Sequence, residues 1–302
     1  MRKLLKPPRL RPGDRVGLVT PASPCPAEEL RAGCAVLGGF GLQVAGDGET
    51  EYRLRYLAGS DEKRAAQLSE CFADETLKAL FCTRGGYGSM RILPRLPYAI
   101  LRRSPRALVG FSDITALLAA CCRHAGVVCF HGPTVSTLPT SDEESLASFW
   151  NALAGEQPVT VQVPEPICLR PGEAVGPVFG GNLTMLCHLV GTRFLPPLKG
   201  AILFIEDRNE ALYRIDRMLT HLIQAGLLAG IAGLMVGAFI DCGSPGDLLD
   251  LFTERLAPFS FPVLAGFPVG HGSRNITLPL GLAATLEAEA GILTYHQAAT
   301  AP

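Results

Sequence analysis

Short apolar runs alternate with amphipathic stretches from Arg15 onward. Arg15–Thr20 (RVGLVT) reads as a buried strand ending in a Pro/Ala/Ser loop, and Ala27–Phe40 follows with helical spacing that stops at Gly38–Gly39. Asp61–Ala73 (DEKRAAQLSECFA) has the period of an amphipathic helix with an acidic first turn. Ala79–Thr83 (ALFCT) and Ala107–Phe111 (ALVGF) are further strands. The first feeds the glycine-rich loop Arg84–Ser89; the second runs through Ser112–Asp113 into the apolar helix Ile114–His124. Val127–Phe130 is a strand ending at His131–Gly132–Pro133. This alternation predicts an α/β domain on a mainly parallel sheet.

The pattern changes near residue 136. An acidic patch at Asp142–Glu144, a short helix around Trp150 and extended runs such as Val159–Pro166 predict an interdomain linker over 136–176. The α/β alternation then resumes. Gly200–Glu206 is a strand, Glu210–Gln224 a helix with Leu212, Ile215, Leu219 and Leu222 on one face, and Ile231–Ile240 a strand. Val263–Val269 and Ala283–Tyr295 read as the closing strands. The expected organisation is an N-terminal α/β domain over 1–135, the linker over 136–176, and a smaller C-terminal β/α domain over 177–302.

Composition removes several classes of function. A chain that is 48% hydrophobic and 18% charged is not disordered. With 27 basic against 28 acidic residues there is no concentrated positive surface, so no nucleic-acid partner is expected. The basic cluster Met1–Arg15 lacks the apolar core of a signal peptide, because Pro7, Pro8, Pro12, Gly13 and Asp14 interrupt it. No uninterrupted apolar run is long enough to span a bilayer. No membrane association and a cytoplasmic location are therefore expected. The ten cysteines contain no CxxC pair and lie mostly in apolar runs, which reads as buried free thiols rather than disulfides or a zinc site.

Hydrolysis at a carbonyl needs a nucleophile, a base, a group that orients the base, and donors for the oxyanion. Ser112 stands where a strand ends and a helix begins, at the carboxyl end of a sheet, where ligands bind in open α/β folds. It reads either as that nucleophile or as the N-cap of the helix. The segment is not GxSxG, since Ile114 replaces the second glycine. Arg84–Ser89 (RGGYGS) matches neither a dinucleotide nor a P-loop fingerprint; it reads as a tight turn or an anion-holding loop. Glu206–Asp207 closes an apolar strand, as a helix-start signal or as the orienter of a histidine. Of six histidines, His271 lies in the most polar loop, Gly270–Asn275. His188 and His221 fall within apolar helices, His124 and His296 look peripheral, and His131 reads as a site-lining or a turn residue. Ser112, Glu206 and His271 thus complete a nucleophile–orienter–base set in the order Ser…Glu…His.

Several segments together carry a resemblance. They are GLVTPASP (17–24), YLAGSDEKR (56–64), RGGYGS (84–89), GFSDI (110–114), HGP (131–133), GGNLT (180–184), Glu206–Asp207 and GHGSRNITLPLG (270–281). In this order they resemble the LD-carboxypeptidase family, the murein tetrapeptide carboxypeptidases of serine peptidase family S66. The resemblance implies Ser112 as nucleophile, Glu206 as orienter and His271 as base. It implies the backbone N–H groups of Gly86 and Asp113 as the oxyanion hole, and a flavodoxin-like N-terminal domain joined to the smaller C-terminal one. It also implies a muropeptide substrate losing its terminal D-alanine in cell-wall recycling, a homodimer, and no metal or cofactor. Thr184 stands where the family usually has serine. An exopeptidase must also hold the free terminal carboxylate; Arg84, Arg208 and Arg274, which flank the site loops, are the candidates. The alternatives are a microcin C immunity-type peptidase with the same triad, a phosphate-binding protein using RGGYGS, and a thiol enzyme using Cys82.

Overall fold

The computed structural model describes residues 4–46 and 53–302; the first three residues of the basic N-terminal stretch lie outside them. The chain begins β1 (Arg15–Val19), α1 (Ala27–Gly39), β2 (Gln43–Ala45), α2 (Asp61–Ala73), β3 (Leu77–Cys82), α3 (Ser89–Ile92) and α4 (Tyr98–Arg103). It continues β4 (Ala107–Gly110), α5 (Thr115–Ala120), β5 (Cys129–His131), α6 (Glu143–Ala154), β6 (Thr160–Gln162), β7 (Ile167–Arg170), β8 (Glu173–Asn182) and α7 (Leu183–Leu189). Then come β9 (Ile202–Arg208), α8 (Leu212–Gln224), β10 (Gly233–Ile240), α9 (Pro245–Leu256), β11 (Val263–Ala265), β12 (Leu278–Leu280), β13 (Ala283–Glu287) and β14 (Ile292–Tyr295).

Two sheets carry the core. In the first, the order β2-β1-β3-β4-β5 is wholly parallel, the order of flavodoxin-like folds. Strands β1, β3 and β4 are buried on both faces apart from Arg15 and Lys78, which explains their unbroken apolar sequences. Helix α2 is capped by Ser60, whose hydroxyl accepts the Lys63 N–H at 3.3 Å, and it buries Ala65, Leu68 and Phe72. Late in the chain, β12 returns to this sheet and pairs antiparallel with β5 at its edge.

The second sheet runs β6-β14-β13-β8-β9-β10-β11-β7, with a parallel centre, β8 to β11. The stretch read as a linker supplies both of its edges, β6 and β7. It also supplies α6, which Asp142 caps by accepting the Ser145 N–H at 2.8 Å. The Trp150 ring stacks on Phe40 with centroids 4.9 Å apart and fixes α6 to the first half of the molecule. The strand expected over Val263–Val269 stops at Ala265, before Gly266 and Pro268.

Helix α5 joins the two sheets. Every residue of TALLAA is buried, because the helix packs on β4 and β5 on one side and on α7 and β8 on the other. Thr115 at its start accepts the Asn182 N–H through Oγ1 at 3.1 Å. This contact brings the carboxyl end of β4 to the carboxyl ends of β8 and β9, next to the candidate site. Among the described residues no helix is long and apolar enough to cross a membrane.

Candidate active site

Ser112 follows β4 and adopts a left-handed φ of +65°. A non-glycine residue held there is strained, by about 1–2 kcal/mol, and must be fixed by its surroundings. Its hydroxyl makes no capping bond to the turn that follows, so the N-cap reading does not hold; only its carbonyl accepts from Thr115. The next side chain, Asp113, folds back under the glycine-rich loop. Its carboxylate accepts the N–H groups of Gly88 (3.3 Å) and Ser89 (2.8 Å), and its carbonyl accepts the Ser89 hydroxyl at 2.6 Å. Burial pushes the Asp113 carboxyl up, and those N–H donors pull it back.

The loop Arg84–Ser89 is held from three sides. Ser23, in the loop after β1, accepts the Tyr87 N–H at 3.2 Å through its hydroxyl and donates its own N–H to the Gly85 carbonyl at 3.2 Å. Arg64, buried on α2, donates to the carbonyls of Pro21, Gly59 and Gly88 and pairs with Asp61. Gly86 has φ +102°, and a β-carbon there would stand 2.3 Å from the Ser23 hydroxyl, so only glycine fits. The loop therefore sits at the β1/β3 switch point, where open α/β sheets bind ligands.

Glu206 and His271 come from the other half of the molecule. Glu206, near the carboxyl end of β9, is completely buried, and its Oε2 lies 2.6 Å from His271 Nδ1. Burial raises the Glu206 carboxyl, opposed by the bond to His271. The imidazole also packs on the Phe111 ring, centroids 4.8 Å apart. Its loop is fixed at both ends: the Gly270 N–H donates to Asn275 Oδ1 at 3.0 Å, and the Asn275 N–H donates to Ser145 Oγ of α6 at 2.9 Å.

Ser112, Asp113, Gly86, His271 and Arg208 line one cleft of about 550 Å³. Of the three arginines, only Arg208 lines it. Arg84 lies 3.8 Å from Glu29 on the outside, and Arg274 ties the His271 loop to α6 through Asp142 (3.0 Å) and Glu144 (2.7 Å). A separate cavity between α6 and β6, about 590 Å³, holds none of the expected site residues. Cys82 is fully buried with its thiol pushed up by desolvation, which is unsuited to a nucleophile. Among the described residues no three His, Cys, Asp or Glu side chains gather as a metal site.

Sequence reasoning missed the supports. Asp207, beside Glu206, faces the opposite side of β9 and accepts from Asn182 Nδ2 (2.8 Å), the Thr184 N–H (2.9 Å) and the Thr184 hydroxyl (2.8 Å). Arg64, Ser23 and Asn275 are likewise structural partners of the site. Of the Glu206–Asp207 pair only Glu206 has a role implied by the resemblance, and strand alternation places Asp207 on the opposite face. His188 lines the cleft; His131 does not, being fully buried between Phe111 and Phe204.

Both halves of the chain match known proteins. Residues 16–132 match the LD-carboxypeptidase N-terminal domain, and residues 175–286 match the LD-carboxypeptidase C-terminal domain. The chain is 36% identical over 290 residues to a protein of Bacillus subtilis named probable murein peptide carboxypeptidase, covering 93% of this chain and 91% of that one. It is 35% identical over 291 residues to the murein tetrapeptide carboxypeptidase of Pseudomonas aeruginosa, covering 90% and 93%. Among solved structures, an MccF-like protein of Bacillus anthracis superposes with a TM-score of 0.91 at 27% identity, over 97% of this chain and 99% of that one. The chain belongs to the LD-carboxypeptidase family, peptidase family S66.

Proposed function

We propose that the protein is a serine LD-carboxypeptidase that releases the terminal D-alanine of muropeptide tetrapeptides. The observation that carries this reading is the buried Glu206–His271 pair, opening on the cleft that Ser112 also lines. With His271 Nδ1–H donated to Glu206, Nε2 is the free base. It takes the Ser112 proton as Oγ attacks the carbonyl joining the L-centre of diaminopimelate to D-alanine. The N–H groups of Gly86 and Asp113 hold the oxyanion. His271 passes the proton to the departing D-alanine nitrogen; water, deprotonated by the same imidazole, then frees the tripeptide from Ser112. Arg208, the arginine of the cleft, receives the terminal carboxylate.

The names of the Bacillus subtilis and Pseudomonas aeruginosa relatives favour this substrate class. The microcin C immunity-type alternative rests on the close fold agreement with the MccF-like protein. One aromatic observation weighs against it: Trp150 is stacked on Phe40, away from the cleft. Mass spectrometry of a diaminopimelate tetrapeptide incubated with wild type and Ser112→Ala tests the proposal. Loss of one D-alanine by the wild type alone supports it. Cleavage by neither protein rejects the tetrapeptide and moves the search to aminoacyl nucleotides, and equal cleavage by both rejects Ser112.

A further inference from the structure

The ionisable groups of the cleft are unequally committed. Asp113 is engaged with the N–H groups of Gly88 and Ser89, Asp207 with Asn182, Thr184 and the Arg208 N–H, and His271 with Glu206. Among the described residues, Arg208 and Glu210 are the charged side chains of the cleft wall held only by long ion pairs, Arg208 to Asp241 at 3.8 Å and Glu210 to Arg214 at 3.4 Å. They flank Asn209, which is held at φ +60° and donates its N–H to the Ile240 carbonyl at 2.9 Å. That pinned, left-handed residue sets the turn from β9 into α8 and fixes both neighbours on the same wall. Glu210 is only 21% exposed, and its cationic contact among the described residues is a long 3.4 Å approach from the exposed Arg214. A half-buried carboxylate with so weak a partner is a ready acceptor for a cationic ligand group.

We propose that Glu210 is a specificity-determining residue that receives the side-chain ammonium of the substrate residue acylating Ser112. The inference rests on the LD-carboxypeptidase reading: with Arg208 on the terminal carboxylate, Glu210 meets the one positive charge near the scissile bond. Diaminopimelate and lysine both present that ammonium; norleucine has the same chain length without it.

The test is kcat/KM for D-alanine release from tetrapeptides with diaminopimelate, lysine or norleucine at the third position. Wild type is expected to favour the two ammonium-bearing substrates over norleucine by about ten-fold or more, the usual worth of a charged hydrogen bond. Glu210→Gln, shown to be folded by a wild-type thermal melt, is expected to reduce that ratio to below about three-fold. Glu210→Lys should instead favour a tetrapeptide carrying 2-aminoadipate at this position. A wild type indifferent to the ammonium, or a preference that persists in Glu210→Gln, overturns the role of Glu210 while leaving the carboxypeptidase reading intact. A wild type that releases D-alanine from none of the peptides overturns both.

Discussion

Gly270 stands so close to Glu206 that a β-carbon on it would meet Oε2 at 2.5 Å, the same oxygen that holds His271 Nδ1. Its φ of +106° adds a second constraint that only glycine meets without strain. The residue before the histidine therefore regulates how closely the imidazole and the carboxylate approach. Gly270→Ala is expected to displace Glu206 or tilt the loop. The expected kinetic signature is a kcat for D-alanine release lowered about 10²–10⁴-fold, the range for losing the orienting group, with KM changed far less. A variant with unchanged kcat would show that the pair tolerates displacement.

Strain at Ser112 yields a separate prediction, because stability and activity should move in opposite directions. At φ +65° a serine or alanine is penalised and a glycine is not. Ser112→Ala and Ser112→Gly should both lose activity, by at least about 10⁴-fold. Ser112→Gly should nevertheless be more stable than Ser112→Ala by about 1 kcal/mol, the cost of the left-handed conformation less the entropy of glycine. Urea denaturation with matched m-values checks this. Equal midpoints would mean that the turn relaxes when the hydroxyl is removed.

Asp207 is the acceptor that fixes the start of α7 beneath the cleft. Thr184→Ser keeps the hydroxyl that donates to Asp207 at 2.8 Å and should be neutral within about 1 kcal/mol, whereas Thr184→Val removes it and should cost about 1 kcal/mol. Asp207→Asn turns an amide donor toward Asn182 Nδ2 or the Thr184 and Arg208 N–H groups. That clash of donors should cost about 2–3 kcal/mol. Thermal melts of the three variants at one pH give the order directly; a stable Asp207→Asn would remove Asp207 from the framework of the cleft.

What was legible in the sequence was what local period and turn chemistry determine. The short apolar runs RVGLVT and ALFCT read as strands, and the acidic first turn of DEKRAAQLSECFA reads as the start of a helix. The strands ALVGF and GAILFIE and the polar loop Gly270–Asn275 singled out Ser112, Glu206 and His271 as candidates, and the resemblance gave them their roles. The illegible part is made of contacts between residues far apart. Ser145 and Ser148 in the supposed linker receive the N–H groups of Asn275 and Thr277, about 130 positions later, and so hold the His271 loop. Nothing in the periodicity of either segment specifies that pairing. The same holds for β12, whose three residues LPL rejoin the first sheet only because His131 and Phe130 offer an open edge. Ser112 itself was locally ambiguous, since a strand-to-helix serine is usually a cap. Its backbone conformation, set by packing from both sheets, decides against that.

His131 makes the stability of the fold depend on pH. It lies fully buried with its ring against Phe204 at 4.9 Å and Phe111 at 6.0 Å, and neither ring nitrogen meets a protein hydrogen-bond partner among the described residues. Desolvation, with a smaller contribution from His271, lowers its pKa from 6.5 to about 3. The folded pKa is depressed, so between pH 6.5 and 3 the unfolded chain binds a proton here that the folded chain refuses. The native state is therefore unaffected by this group above pH 6.5 and loses stability as the pH falls below it. By pH 4.5 the loss from this one residue should reach about 2–3 kcal/mol. His131→Leu, close in volume and without a titrating group, should remove that part of the acid sensitivity. Denaturation of wild type and variant at pH 7 and pH 4.5 isolates it as a double difference. If the two proteins lose the same stability on acidification, His131 accepts a proton in place and its burial does not keep it neutral.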